Sequence, residues 1–269
     1  MSAQAHAASG EPVKRTPDTT SLANATPRSR VILASLVGTT IEFYDFYIYA
    51  TSAVAVFPAL FFASKDPTTE LLASFATFGV AFIARPLGSI VFGHFGDKIG
   101  RKATLVGALL TMGLATFIIG LLPTYHQIGL WAPTMLTIMR LCQGLGLGGE
   151  WSGAALVATE NAPEDKRALY GSFPELGAPI GFFLSNGTYF LLETFNDDQA
   201  MLSWGWRVPF LLSAVLVIVG LVVRVQMEET PIFRMAQEQK KVVKSPLTEV
   251  FRKSWKQVIQ ATFLVAVTY

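Results

Sequence analysis

The sequence has little charge and almost no cysteine. Only 15% of its 269 residues are charged, whereas an ordinary soluble domain carries about 25%. The single cysteine, Cys142, excludes an internal disulfide and offers no zinc cluster. The net charge of +2 is too small to indicate a nucleic-acid partner. No nucleophile arrangement, metal triad or cofactor motif is present, so we expect neither an enzyme nor a bound cofactor.

Long apolar runs are abundant instead, and 51% of the residues are hydrophobic. A helix needs roughly 20 apolar residues to cross a bilayer. Runs of about this length fall at 31–61, 71–95, 103–122, 131–158, 168–193 and 206–227, and a seventh begins near Val258. No alternating pattern indicates barrel strands. We therefore predict an all-α protein of the lipid bilayer, with a disordered tail over 1–30, six transmembrane helices within 31–227, a loop over 228–257 and the start of a seventh span over 258–269.

The placement of lysine and arginine predicts the orientation of these spans. The tail and the connections after the second and fourth runs are basic, with Lys14, Arg15, Arg28, Arg30, Lys98, Arg101, Lys102, Lys166 and Arg167. A further basic group extends from Arg224 to Lys256, after the sixth run. The odd-numbered connections contain Lys65 and several acids. We expect the N-terminus and the loop after the sixth run to be cytoplasmic.

The tight turn between the second and third runs reads "GHFGDKIGRK", residues 93–102. Gly93 and Gly96 would let two helix ends approach closely, and Gly100 permits a turn conformation. These glycines predict a compact turn rather than a flexible loop.

Charged residues occupy fixed places in the same turn. Asp97 precedes the third run, where a helix N-terminus stabilises an anion. Arg101 and Lys102 also fit a plain charged hairpin, but that interpretation leaves the Gly-Asp-Gly-Arg spacing unexplained. At these residues the sequence resembles the major facilitator superfamily, whose loop signature between spans two and three has this form.

Further segments resemble the metabolite:proton symporter family of that superfamily, which includes shikimate, 2-oxoglutarate, citrate and proline/betaine permeases. They read "EFYDFYIY", "ARPLGSIVFGHFGD", "RLCQGLGLGGEW", "SWGWRVPF" and "MEETPIF". The resemblance implies two six-helix halves, of which this chain matches the N-terminal one. It also implies proton-coupled symport of a small metabolite, an organic acid or zwitterion, across a bacterial inner membrane, for which a C-terminal half is needed. The alternative is a truncated, non-transporting membrane protein or an interaction half-module.

Two acids, Glu42 and Asp45, lie in the middle of the first span. Residues three apart share a helix face, and intramembrane acids are rare, costly and normally face a bundle interior or a watery cavity. Such a carboxyl group can exchange a proton near neutral pH. We predict a proton-coupling or substrate role for the pair; the alternative is a fixed ion pair with an arginine.

Arg85 and Arg140 are the candidate partners of these acids. A guanidinium stays charged when buried and matches a carboxylate with two hydrogen bonds. Either arginine is therefore a candidate for binding an organic anion, or for a fixed pair with Glu42 or Asp45. The resemblance favours Arg140 as the cavity residue, and Tyr44 is a further candidate for lining the cavity, although it can also simply pack.

Glu150 and Glu175 lie in the halves of spans four and five that we assign to the cytoplasmic side. Glu150 is ten residues beyond Arg140, roughly 15 Å along a helix, so it belongs to another layer. We interpret both acids as structural or gating partners of Arg101 or other cations of the motif turn. The stretch "GLGLGG", residues 144–149, matches a dinucleotide-binding fingerprint by letter, but that motif needs a preceding strand and a helix start. Because this stretch lies inside an apolar helix, Gly144 and Gly148 predict a close-packing face instead.

Overall fold

The computed structural model describes residues 28–62, 64, 66–160, 162–226, 229 and 254–268, and this part of the chain contains helices and turns but no strand. We number its long helices in chain order. They are α1 (Arg28–Ala55), α2 (Pro67–Ile99), α3 (Arg101–Leu121), α4 (Trp131–Glu160), α5 (Gly177–Phe195), α6 (Arg207–Val225) and α7 (Trp255–Thr268). Residues 1–27 of the predicted tail and almost all of the predicted loop over 228–257 lie outside the described residues, while 28–30 belong to α1.

The six apolar runs correspond to α1–α6, so the predicted six-helix bundle is confirmed. By length and composition, α2, α3 and α6 are each able to cross a membrane. The first and fifth runs are interrupted. After α1 a separate short helix, Phe57–Phe61, carries a proline in its first turn.

The fifth run is broken at Pro174. A short helix over Arg167–Ser172 and a 3-10 turn over Pro174–Leu176 precede α5. Proline has no backbone N–H and cannot continue a regular helical ladder. The Pro174 carbonyl instead accepts a hydrogen bond from Thr39 Oγ1 at 2.7 Å, which holds the 3-10 turn at this break against α1.

Glycines bring α2 and α4 into direct backbone contact. A Cβ added at Gly144 would lie 2.5 Å from the Ala81 carbonyl oxygen, and one at Gly148 would lie 2.6 Å from Ser89 N. Real Cβ atoms do not approach so closely. The predicted close-packing face of Gly144 and Gly148 is therefore confirmed, and it sets the spacing of the two helices that carry Arg85 and Arg140.

An aromatic cluster closes one end of the bundle. Phe57, Phe61, Trp206 and Phe210 are fully buried and meet at ring-centroid distances between 5.3 and 6.1 Å. Arg207 fixes the start of α6 beside them, because its Nη1 donates to two carbonyls at the end of α3. This packing holds α1, α3 and α6 in register around the acids described below.

Replacement of Gly144 by alanine tests the importance of the α2–α4 contact. Because the added methyl group has no room, we expect Gly144→Ala to destabilise the bundle by about 1–3 kcal/mol. Gly79→Ala, in α2, is the matched control, since nothing lies within 4 Å of its added Cβ. Thermal unfolding of the detergent-purified variants measures the difference. Equal midpoints for both variants would contradict the packing argument.

Candidate functional site

Glu42 and Asp45 lie side by side on the inner face of α1. Their residues are 4% and 2% exposed, respectively, which agrees with the expectation that both face the bundle interior. The two carboxyl groups nevertheless have different neighbours.

Asp45 is linked to Arg140 through two intermediate side chains. Thr116 Oγ1 of α3 donates to Asp45 Oδ2 at 2.6 Å, and Gln143 Nε2 of α4 donates to Thr116 Oγ1 at 2.7 Å. Arg140 Nη1 in turn donates to Gln143 Oε1 at 3.0 Å. All four side chains are buried. The structure thus joins Asp45 and Arg140 in one network without a direct ion pair.

Aromatic rings hold the Arg140 guanidinium in place. Its central carbon lies 3.9 Å from the Tyr49 ring centroid and 4.7 Å from that of Phe78. Such stacking is favourable for a planar cation. Tyr49 is itself fixed, because its hydroxyl shares a 2.7 Å hydrogen bond with Thr77. The cation is therefore held in a defined place at the centre of the bundle.

Glu42 lies nearest to Arg85. The distance from Arg85 Nη2 to Glu42 Oε1 is 3.9 Å, and 34% of the arginine side chain is exposed. The same guanidinium lies 5.7 and 5.4 Å from the ring centroids of Phe46 and Phe82. This ion pair is long and partly open, so Arg85 has donors available for another group.

Some polar atoms at this site have no hydrogen-bond partner. Among the described residues, they include Glu42 Oε2, Asp45 Oδ1 and Arg140 Nε, all shielded from solvent. A buried, unpaired polar atom costs free energy, and such atoms in native proteins often mark a functional site.

Tyr44 does not face this cluster with its hydroxyl. The group donates to the Pro209 carbonyl of α6 at 3.0 Å, and the residue is buried. The tyrosine thus packs α1 against α6, one of the two interpretations that its sequence position allowed.

Glu150 forms a fixed ion pair with a residue that the sequence reasoning did not select. Both terminal nitrogens of Arg224, at the end of α6, donate to the Glu150 carboxylate, and Arg224 Nη1 also donates to the Leu105 carbonyl. Both side chains are almost fully buried. The prediction that Glu150 pairs with Arg101 or another cation of the motif turn is therefore wrong. Gly38 makes the space, because a Cβ there would clash with the guanidinium.

The motif turn has the predicted shape. Gly100 adopts φ 111°, a conformation that L side chains rarely adopt. Gly96 lies against Arg101 and Thr104, whereas nothing lies within 4 Å of an added Cβ at Gly93. The expected close approach is therefore present at Gly96 and not at Gly93.

The anion at the N-terminus of α3 is Glu229, not Asp97. Its carboxylate accepts the backbone N–H groups of Arg101 at 2.8 Å and Lys102 at 3.2 Å. Asp97 instead pairs with the Arg101 side chain at 2.8 Å. The Lys102 ammonium donates to the Val225 carbonyl. The motif turn is thus joined to the end of α6 by Lys102, and the first turn of α3 is joined to Glu229 beyond α6.

Glu175 is the candidate gating acid of the fifth span, and its charge acts on Glu42. It is exposed in the 3-10 turn before α5, and it forms no ion pair within the described part of the chain. Its gating role stays a prediction. The described residues also contain no group of three His, Cys, Asp or Glu side chains able to hold a metal ion.

The sequence reasoning missed Thr116, Gln143 and Arg224. Gln143 carried a usable signal, since it lies three residues after Arg140 and therefore on the same helix face. Thr116 gave none, because threonine is common in membrane helices. Arg224 was grouped with the cytoplasmic basic residues because it lies close to the end of the span.

Solved structures share the fold of this bundle. The chain is similar to the proton:xylose symporter XylE of the major facilitator superfamily, with a TM-score of 0.69 over 80% of this chain and 47% of that one. It is also similar to the inward-open form of XylE from E. coli, with a TM-score of 0.66 over 87% of this chain and 55% of that one. Sequence identity is 16% in both cases, so these matches show the fold alone.

The chain belongs to the major facilitator family described as "Sugar (and other) transporter", whose sequence model matches residues 31–262. It is 60% identical over 242 residues to the inner membrane metabolite transport protein YhjE of Escherichia coli, covering 90% of this chain and 55% of that protein. It is 46% identical over 215 residues to the shikimate transporter of the same organism, covering 80% and 49%. The chain thus spans about half the length of these relatives. Its family is one of transporters, not enzymes.

The buried Glu150–Arg224 pair is open to a direct stability test. We expect Glu150→Gln to cost about 3–5 kcal/mol, because it leaves the Arg224 charge buried and unpaired. Asp97→Asn is the matched control: it breaks a partly exposed pair and should cost less than about 1 kcal/mol. Denaturation of the purified variants in detergent gives both values. Equal losses would show that the buried pair is not a structural fastener.

Proposed function

We propose that this chain forms the N-terminal half of a proton-coupled transporter of a small metabolite across the bacterial inner membrane. The observation that carries the proposal is the pair of buried acids, Glu42 and Asp45, each with a carboxyl oxygen that has no hydrogen-bond partner among the described residues. The metabolite is an organic acid or a zwitterion. The names of the relatives support this class, since they include a shikimate transporter and a proline/betaine transporter.

The geometry favours proton exchange over fixed ion pairs for these acids. Glu150 shows what a fixed pair looks like here, with two guanidinium nitrogens on one carboxylate. Asp45 reaches Arg140 only through two neutral side chains, and the contact from Glu42 to Arg85 is 3.9 Å. A carboxylate that is buried without full compensation is readily neutralised by a proton. Proton binding at this layer is therefore the proposed coupling step.

The two arginines suit the binding of a carboxylated metabolite. Arg85 presents a partly exposed guanidinium between two phenylalanine rings, and its planar fork matches a carboxylate in two hydrogen bonds. Arg140 lies deeper, with an unpartnered Nε. We propose Arg85 as the residue that first meets the substrate and Arg140 as the one that connects the substrate to Asp45. Tyr44 is not included, because its hydroxyl is used by Pro209.

Conformational cycling is the proposed role of the motif turn. The turn, the end of α6 and Glu229 form one connected set of contacts. In transporters of this kind, two halves rock around a site near the membrane midplane. We propose that a C-terminal six-helix half supplies the opposite wall of the site, and that these contacts break and re-form as the halves rock.

Neutral variants of the two acids test the coupling role. In a twelve-helix form completed with the C-terminal half of YhjE, we expect Asp45→Asn to abolish uphill uptake but to retain counterflow exchange. The amide resembles the protonated acid and cannot release a proton, whereas exchange requires only that the loaded carrier reorient. Uptake of radiolabelled organic acids and betaines, with and without a pH gradient, separates the two activities.

Glu42→Gln is the companion variant, and membrane abundance is measured for both. Normal abundance, retained exchange and lost uphill uptake in either variant identify that acid as the coupling residue. Full uphill uptake in both variants would rule out the coupling role. Loss of abundance together with exchange would instead indicate that the acids act as structural ion-pair partners.

The proposed orientation is tested by cysteine labelling in a Cys142→Ser background. We expect an impermeant thiol reagent added outside intact cells to modify cysteines placed at Ser64 and Asn196, because both follow odd-numbered spans. A cysteine at Ser245 should react only after the membrane is opened, because it follows six spans. The reverse pattern would invert the assigned topology.

A further inference from the structure

The hydrogen bonds between Arg140 and Asp45 all run in one direction. The Arg140 cation donates to the Gln143 amide oxygen, the amide nitrogen donates to Thr116, and the Thr116 hydroxyl donates to Asp45. Each link thus has its donor on the side of the cation and its acceptor on the side of the carboxylate. This order matches an ionised Asp45, since a carboxylate only accepts hydrogen bonds.

The Thr116 hydroxyl has one proton but two acceptors within reach. Asp45 Oδ2 lies at 2.6 Å, and the Met112 carbonyl of the same helix lies at 3.0 Å. A hydroxyl proton rotates to suit its partners. Thr116 is fully buried, so no solvent molecule is needed for the hydroxyl to change from one acceptor to the other.

We propose that Thr116 is a positioning residue for Asp45. It keeps a hydrogen bond to Asp45 both when the carboxyl group is ionised and when it is protonated. With Asp45 ionised, Thr116 donates to Oδ2. When Oδ2 is protonated, the new O–H donates to Thr116 Oγ1, and the threonine proton turns to the Met112 carbonyl. Gln143 donates to Thr116 in both states. This inference rests on the proposed function, and it names the residue that stabilises both the ionised and the protonated form of Asp45.

The site of protonation follows from the same geometry. Among the described residues, no group forms a hydrogen bond to Asp45 Oδ1. A proton on Oδ2 has Thr116 Oγ1 at 2.6 Å. The hydroxyl thus selects the oxygen that is protonated, because an unmade buried hydrogen bond is costly.

Charged groups act on this site from the helices packed around it, with the exception of α3. Arg140 of α4 and Glu42 of α1 act directly on Asp45. Glu42 in turn interacts electrostatically with Arg85 of α2, Arg224 of α6 and Glu175, which precedes α5. The neighbour contributed by α3 is the neutral Thr116. Replacement of Thr116 therefore changes the hydrogen bond to Asp45 while leaving these charges in place.

Infrared titration of the 269-residue chain reconstituted in lipid tests the proposal without requiring transport. Protonated carboxyl groups give infrared carbonyl bands, and the band that is absent from the spectrum of Asp45→Asn is assigned to Asp45. In Thr116→Val both forms of Asp45 lose a hydrogen bond, but the bond to the ionised form is charge-assisted and stronger, so the titration midpoint of this band should move to more alkaline pH by about one unit. Thr116→Ser, which keeps the hydroxyl, should titrate like the parent chain.

Gln143→Met is the second variant and covers the case in which Thr116→Val does not fold. It removes the donor to Thr116, so we expect a smaller shift in the same direction. An unchanged midpoint in whichever of these two variants folds would overturn the proposal, as would an equal shift in Thr116→Ser. A Thr116-dependent midpoint, combined with normal uphill uptake by both Asp45→Asn and Glu42→Gln in the twelve-helix form, would support this inference while refuting the proposed coupling role.

Discussion

The buried ion pair between Glu150 and Arg224 is the interaction on which the arrangement of the bundle depends. It joins α4 to α6, and the same arginine also binds a carbonyl of α3. Charges in a low-dielectric interior are tolerated only with good geometry and further hydrogen bonds, and this pair has both. Because α4 is also held against α2 by glycine contacts, four helices are placed relative to one another before any residue of the candidate site is considered.

In contrast to Glu150, the two central acids have carboxyl groups whose charge is only partly compensated by neighbouring cations. Asp45 and Glu42 are nearly as buried as Glu150, yet neither receives a two-pronged guanidinium contact. The difference lies in the neighbouring helices. Arg140 is stacked on aromatic rings and donates a hydrogen bond to Gln143, while Arg85 is partly exposed between Phe46 and Phe82. One bundle therefore holds a charge pair that stabilises the fold and a second group of charges whose protonation can change.

Much of the fold was predictable, because the lengths of the apolar runs are a property of the chain itself. The close contact at Gly144 followed from small residues at helical spacing, and the burial of Glu42 and Asp45 followed from the cost of an acid in lipid. Pairing was not predictable, because it depends on which helices are neighbours and how they are rotated. Glu150 was therefore assigned to the wrong cation. Thr116 escaped notice because a threonine in a membrane helix ordinarily bonds its own backbone, as this one also does.

The contact between Glu229 and the first turn of α3 joins a residue beyond α6 to the turn between α2 and α3, beside Gly100. The segment from Arg101 to Glu229 therefore begins and ends at one contact, so a displacement of either end of the segment also displaces the other.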